Sequence, residues 1–228
     1  GPGLANGIAN LHNARRAGSG IVNIVGDQAT HHRPFDAPLT ADTDALARTV
    51  SSWVRTSMTA GDVGRDAAAA VQAARMAPGN IATLILPSDA SWEKGGQIAE
   101  SPKTNPYVPL DGHAVDVAAE ILRRNSDVLV ILGGRATLEK SQKLAWRIVQ
   151  ATGASILLAW TNGRVERGQG RLPFDRVPYG VDAAAKTLDA YRNIILVNCK
   201  APVAFFAYPG KPSTLWNPDA RIHILSRP

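Results

Sequence analysis

The chain has 228 residues, 45% of them hydrophobic and 19% charged, with a formal net charge of +6. That length allows one large domain or two ordinary ones, and the balance of apolar and charged residues excludes a disordered chain. The basic residues are scattered, as in Arg15-Arg16, Arg123-Arg124 and Arg164, Arg167, Arg171, with no basic run interleaved with aromatics, so no nucleic-acid partner is expected. Cys199 is the single cysteine, which rules out an intrachain disulfide and a cysteine-based metal cluster and fits a reducing, cytoplasmic setting. No apolar run approaches the length of a membrane span, so no membrane partner is expected either.

The first forty residues organise the rest. Gly1, Pro2 and Gly3 read as a turn that lets backbone come close to a neighbour with no Cβ in the way. Leu4, Ile8, Leu11 and Ala14 then fall at helical spacing, Arg15 and Arg16 suit the C-terminal end, and Gly18 and Gly20 stop the helix. Ile21–Val25 is a short β-branched run that reads as a buried strand. Gly26-Asp27 ends it, and the loop beyond carries Gln28, His31, His32 and Asp36. In open parallel sheets ligands gather at the carboxyl ends of strands, where this loop falls.

A helix capped by Asp42 or Thr43 follows, with Leu46, Val50, Trp53 and Val54 as its apolar stripe. A second, alanine-rich helix starts at Asp62 as N-cap and ends at Pro78-Gly79-Asn80. Ile81–Leu86 is a buried strand, stopped by Pro87 and Ser88-Asp89. Residues 91–112 are rich in Gly, Pro, Ser and charge without a period and read as an extended linker. A second unit over 113–228 starts with a helix through Val117, Ile121 and Leu122, then a strand, Asp127–Gly134, that ends in two glycines. A helix from about residue 138 to 151 turns Leu144, Ile148 and Val149 inward; a strand, Ala154–Trp160, a Gly/Arg-rich loop, a helix near 181–191 and the strand Asn193–Asn198 follow. RIHILS makes a last short strand. The alternation predicts an α/β protein of two three-layer units with mainly parallel sheets, the second Rossmann-like.

The opening stretch, GPGLANGIANLHNARRA, IVNIVGD and THHRPFDAPL, resembles the pyrimidine-binding domain of thiamine-diphosphate-dependent enzymes, and within them the acetolactate synthase large-subunit-like group. The Gly-Pro-Gly-x-x-Asn-Gly start, the strand ending in Gly-Asp and the pair Asp36-Ala37 carry the likeness, which runs to about Pro87 and continues more loosely into a segment like that family's middle domain. The resemblance implies residues 1–90 as the C-terminal part of the pyrimidine-binding domain, 91–112 as linker and 113–228 as the middle domain. It implies an enzyme acting on 2-oxo acids by decarboxylation or carboligation. The alternatives are a simple 2-oxo-acid decarboxylase of the same superfamily and a non-catalytic nucleotide-binding α/β module.

In the family the turn matching Pro2, Gly3 and Asn6 lies against the aminopyrimidine ring; the residues alone fit equally a helix N-terminus packed tightly on a strand. Adjacent histidines at a strand end can carry protons near neutral pH, and related decarboxylases place such a pair beside the reactive carbon. His31 and His32 are therefore the candidate catalytic pair, with His32 favoured; the other reading is two loop imidazoles satisfied by backbone or water. Asp27 and Gln28 join Pro2, Gly3 and Asn6 as the cofactor-binding residues that the resemblance implies, and in the family the positions of Asp27 and Pro38-Leu39 help shape the substrate pocket. Acetolactate synthases proper carry Gln in place of Asp27 and Phe-Gln in place of Pro38-Leu39, so the substrate is open. Asp36 either orients an imidazole or caps the loop.

The family's catalytic Glu precedes its Gly-Pro-Gly turn, and its diphosphate and Mg²⁺ motif, GDG followed by Asn, has no counterpart among these residues. The 228 residues thus read as an inactive internal piece. The piece would be completed by an N-terminal segment and a diphosphate-binding domain, in a homodimer or homotetramer, and no metal ligand is expected within it. Gly133-Gly134-Arg135 after a strand could cradle a phosphate, so FAD in the middle domain is a further candidate, though TNGRVERGQGRLP departs from the family's flavin-binding stretch.

Overall fold

The computed structural model describes residues 1–104 and 109–228; part of the expected linker, residues 105–108, lies outside the described residues. The chain divides into two compact units, 1–108 and 109–228.

In the first unit the expected turn at Gly1–Gly3 is already helix: α1 spans Pro2–Ala17, with Gly1 as N-cap and Gly18 closing it in the left-handed region at φ 65°. Pro2 suits this place because the first helical N–H has no intrahelical acceptor anyway. Strand β1, Ile21–Asp27, follows and alternates half-buried with exposed. It is not the buried strand that its β-branched run suggests. Helix α2 is only Thr43–Arg48, with the Asp42 carboxylate accepting the Ala45 N–H. Trp53–Thr56 is a strand, β2, rather than the tail of that helix. Helix α3, Ala60–Arg75, starts two residues ahead of Asp62, with Thr59 as N-cap. Strand β3, Ile81–Pro87, and a short helix α4, Ser88–Trp92, complete the unit.

All three strands are parallel in the order β1-β3-β2, so β3 is central and β1 lies at an edge. One face of the sheet meets α3 through Ala70, Ala74 and Ala82. On the other face Thr83 Oγ1 is bonded to Asn23 Nδ2 and to Ser51 Oγ, just beyond α2. Ile81, Leu84 and Ile85 of β3 are almost wholly buried, each contributing about 1.5–3 kcal/mol of transfer free energy. Val22 and Ile24 of β1 are 36% and 69% exposed. The buried Asp66 of α3 ties the helix to β2: it accepts from Arg55 at 3.0 Å and from Ser57 Oγ at 3.0 Å.

The expected linker starts two residues inside α4 and then runs along α3. A Cβ built on Gly64 would sit 1.8 Å from the Gln97 carbonyl oxygen, so only glycine lets that backbone through. Ser101 Oγ donates to the Ala68 carbonyl at 3.3 Å.

The second unit begins with α5, Gly112–Arg124, capped by Asp111. Strand β4, Val128–Leu132, leads into a 3-10 turn over Gly134–Thr137 and then α6, Glu139–Thr152, stopped by Gly153 at φ 74°. Strand β5 (Ser155–Leu158), helix α7 (Val181–Leu188), strand β6 (Asn193–Val197) and strand β7 (Arg221–Ser226) follow. The sheet is parallel in the order β5-β4-β6-β7. Residues of β4 alternate between two cores. Val128, Val130 and Leu132 join Ala118 of α5 and Val149 of α6; Leu129 and Ile131 join Ala184 and Leu188 of α7. Sheet and helices thus form three layers. In α6 only Val149 of the three expected inward residues is buried; Leu144 and Ile148 are 50% and 47% exposed, and Gln142 takes an inner place. Gln142 Nε2 donates to the carbonyls of Thr137 and Glu166, so a polar side chain holds the following loop where apolar periodicity alone points elsewhere.

Candidate functional site

The loop between β1 and α2 leaves the carboxyl end of the sheet, and two carboxylates at that end organise it. Asp27 closes β1 and Asp89 follows the end of β3. In register, Asp27 lies opposite Pro87, two residues before Asp89. The Asp27 side chain is 3% exposed. Its Oδ1 accepts the Gln28 N–H at 2.9 Å, and its main-chain carbonyl accepts Ser88 Oγ at 2.9 Å. Its Oδ2 makes no aligned hydrogen bond but lies 3.3 Å from Nη1 of Arg33.

Asp89 grips the loop itself. Both its oxygens receive the Thr30 N–H, at 3.1 and 3.0 Å, and Oδ2 also receives the Thr30 hydroxyl. The hydroxyl bond, followed by main-chain N–H groups, holds the Asp89 carboxyl below its ordinary value of 3.8, against an opposing desolvation. Next to Thr30, His31 points Nδ1 at Asp89 Oδ2 from 3.9 Å, with its side chain 72% exposed. His32 is exposed, starts a 3-10 turn over Arg33–Phe35 and has its ring 6.0 Å from that of Phe35. Asp36 closes the turn at φ 50° and so caps it.

The N-terminus of α1 reaches the same loop. A Cβ on Gly1 would meet that of Ala41 at 2.4 Å, so glycine is needed for this close approach. At Gly3 nothing lies within 4 Å of a Cβ, and Pro2, Gly3 and Asn6 are exposed. The sequence-selected residues thus fall into two groups at one end of the unit: Asp27, Gln28, His31 and His32 at the loop's start, and Pro2, Gly3 and Asn6 where α1 abuts its end. Sequence reasoning took Asp89 only as a strand stop. Its signal was a carboxylate immediately beyond a buried parallel strand.

In the second unit the strand order changes direction between β4 and β6, the usual place for a ligand crevice. Gly133 and Gly134 stand there, and Gly133 packs closely on the residues that follow β6. A Cβ on Gly133 would fall 2.6 Å from the Cys199 Cβ and 2.7 Å from the Asn198 carbonyl oxygen. The Gly134 N–H donates to Asn162 Oδ1 at 2.9 Å. Gly133 thus serves the close packing of two strand ends, while Gly134 is exposed. A groove of about 250 Å³ lies at the start of α7, lined by Tyr179, Asp182, Phe205, Tyr208 and Lys211 among others; it belongs to this unit and not to the histidine loop. Burial pushes the Cys199 thiol up to about 12. Among the described residues no group of three or more His, Cys, Asp or Glu could hold a metal ion, and no helix is long and apolar enough to cross a membrane.

No family model matches the chain. A Mycobacterium tuberculosis protein described as "Putative acetolactate synthase large subunit IlvX" is 45% identical over the whole chain, which spans 44% of that protein. Among solved structures, a "putative thiamin diphosphate-dependent enzyme" from Mycobacterium smegmatis superposes with a TM-score of 0.80 at 17% identity, over 97% of this chain and 43% of that one. The thiamine diphosphate-dependent 4-hydroxybenzoylformate decarboxylase of Rhodococcus jostii RHA1 gives 0.74 at 20% identity, over 95% and 42%. The benzoylformate decarboxylase of Polynucleobacter necessarius gives 0.73 at 20%, over 97% and 42%. The chain therefore has the α/β fold of one segment of thiamine-diphosphate-dependent enzymes and is, along its full length, a relative of part of a protein described as an acetolactate synthase large subunit.

Proposed function

We infer that these residues are a segment of a thiamine-diphosphate-dependent, acetolactate synthase-like enzyme acting on 2-oxo acids. Residues 1–90 are the C-terminal part of the pyrimidine-binding domain, 91–112 the linker and 113–228 the middle domain. The observation that carries this reading is 45% identity along the whole chain to one segment of a longer relative, of which it spans under half.

The cofactor fits the first unit at one place. The bare backbone of Gly3, open on the side a Cβ would occupy, can lie against a flat ring, with Pro2 beside it and Asn6 one turn on as a hydrogen-bonding partner. When bound, the cofactor supplies the electron sink for cleaving the bond between a 2-oxo acid's carbonyl carbon and its carboxylate. This chain's own part is to seat the ring, to shape the strand end with Asp27 and Gln28, and to hold or move a proton at the imidazole nitrogens of His31 and His32. The diphosphate and Mg²⁺ belong to residues outside this segment, as does the carboxylate that faces the ring. The complete enzyme is a cytoplasmic homodimer or homotetramer in which a second subunit completes the site. FAD is left out of this reading, since the Gly134 N–H is taken by Asn162 and TNGRVERGQGRLP departs from the family's flavin-binding stretch.

The exposed histidine pair favours decarboxylation ending in protonation over carboligation. The test is CO₂ release from pyruvate and from benzoylformate by the complete polypeptide with thiamine diphosphate and Mg²⁺. The reading expects turnover there, none from the 228 residues alone, and a loss of 10²-fold or more, on the order of a general acid–base contribution, in His31→Ala or in His32→Ala. A variant with unchanged turnover removes the proton-transfer role of the residue it replaces, and no release from any 2-oxo acid removes the activity.

A further inference from the structure

Two carboxylates and two cationic or proton-bearing side chains meet at the carboxyl end of the first sheet, and the structure sorts them into pairs. Arg33 faces Asp27 at 3.3 Å. His31 is left to Asp89, whose Oδ2 is 3.9 Å from its Nδ1. We propose that Asp89 is the positioning residue of His31, fixing the backbone before it through Thr30 and holding its ring proton on Nδ1, so that Nε2 faces outward as the working nitrogen. The catalytic meaning rests on the thiamine reading above; the pairing itself does not.

Three features support it. Asp89 is 8% exposed and stands directly beyond β3, the central and most buried strand of the unit, so its place is set by the core. Its bonds to Thr30 span 59 positions and reach the residue that precedes His31, which pins the loop where the imidazole emerges. A separation of 3.9 Å is an ion-pair rather than a hydrogen-bond distance. The carboxylate therefore acts through its field, which attracts an N–H dipole and repels a lone pair, and a neutral imidazole answers by carrying its proton on the near nitrogen. Among the described residues His32 makes no such pair with a carboxylate: it stands at the start of the 3-10 turn, against Phe35. Of the two histidines, the structure thus favours His31, not His32, as the oriented one.

The test is side-chain ¹⁵N–¹H correlation NMR of the 228-residue chain, at a pH where its histidines are neutral. The expected result is a majority of the Nδ1–H form at His31, passing to a majority of Nε2–H in Asp89→Asn, retained in Asp89→Glu, with the His12 and His32 signals unmoved. Asparagine still offers an oxygen to the Thr30 N–H, so a merely structural role for Asp89 predicts no change of tautomer. A majority of Nε2–H at His31 in the parent chain overturns the proposal without any variant, and so does an unchanged His31 tautomer in Asp89→Asn. Since no thiamine enters the measurement, a tautomer that behaves as expected alongside a complete polypeptide that turns over no 2-oxo acid upholds the pairing and removes only the enzymatic reading.

Discussion

At the scale of single residues, burial and hydrogen bonding decide which polar groups can react. The Cys199 thiol, 7% exposed and with its Sγ 3.3 Å from the Ile131 carbonyl, is pushed up to about 12 by desolvation. Iodoacetamide at pH 8 should leave the folded chain unmodified over hours and label it at one site in denaturant; rapid labelling of the folded chain would show the thiol is not held as described. Asp89 behaves in the opposite sense. Its carboxyl is lowered from 3.8 by the Thr30 hydroxyl, so its stabilisation of the loop is complete above that value and is lost as pH falls through the lower folded value. Protection of the Thr30 amide against hydrogen exchange should therefore persist at pH 5 and weaken below about pH 3.8, the ordinary value; in Asp89→Asn it should show no such step. The histidines were legible in the sequence because a paired imidazole at a strand end is a local feature. The carboxylate beside His31 was not, because Asp89 meets Thr30 across 59 positions, and only strand pairing brings those positions together.

At the scale of elements, two strands show what periodicity can and cannot settle. Ile81–Pro87 and Ile21–Asp27 look alike as short apolar runs, yet one is central and the other is an edge. Composition reports that a run is strand-like, whereas its number of neighbours depends on the whole topology. Leu84→Ala should cost about 2–5 kcal/mol in urea unfolding, as for a buried leucine. Ile24→Lys, at a site 69% exposed, should change stability within about 0.5 kcal/mol and lower concentration-dependent self-association, because an edge with no charge in its middle invites pairing. A large loss of stability in Ile24→Lys would mean that β1 is covered. Trp53–Thr56 departs from its spacing for a different reason: Leu46, Val50, Trp53 and Val54 keep helical spacing across Ser51-Ser52, where the chain turns from helix to strand. The α1, α3, α5 and α6 helices were visible because caps, alanine content and glycine stops agree with their apolar spacing. The error at Leu144 and Ile148 arose where buried Gln142, bonded to two loop carbonyls, took the inner face.

At the scale of the whole molecule, each unit holds its own parallel sheet and its own core, and the chain spans less than half of the relative it matches at 45% identity. The α/β organisation followed from strand–helix alternation alone, whereas the close packing of Gly133 on Asn198 and Cys199 did not, since a glycine pair looks the same in sequence whether it faces a ligand or a neighbouring Cβ. With the Gly134 N–H held by Asn162, flavin titration of the 228-residue chain should show no saturable FAD binding; a stoichiometric complex would contradict the reading without FAD. The central claim is that the open backbone of α1 and the histidine loop form part of a thiamine-diphosphate site. Calorimetric titration of the complete polypeptide with thiamine diphosphate tests it most directly: the account predicts saturable, Mg²⁺-dependent binding that Gly3→Leu abolishes while the fold is retained, and binding to Gly3→Leu as tight as to the parent, or no binding to either, would contradict it.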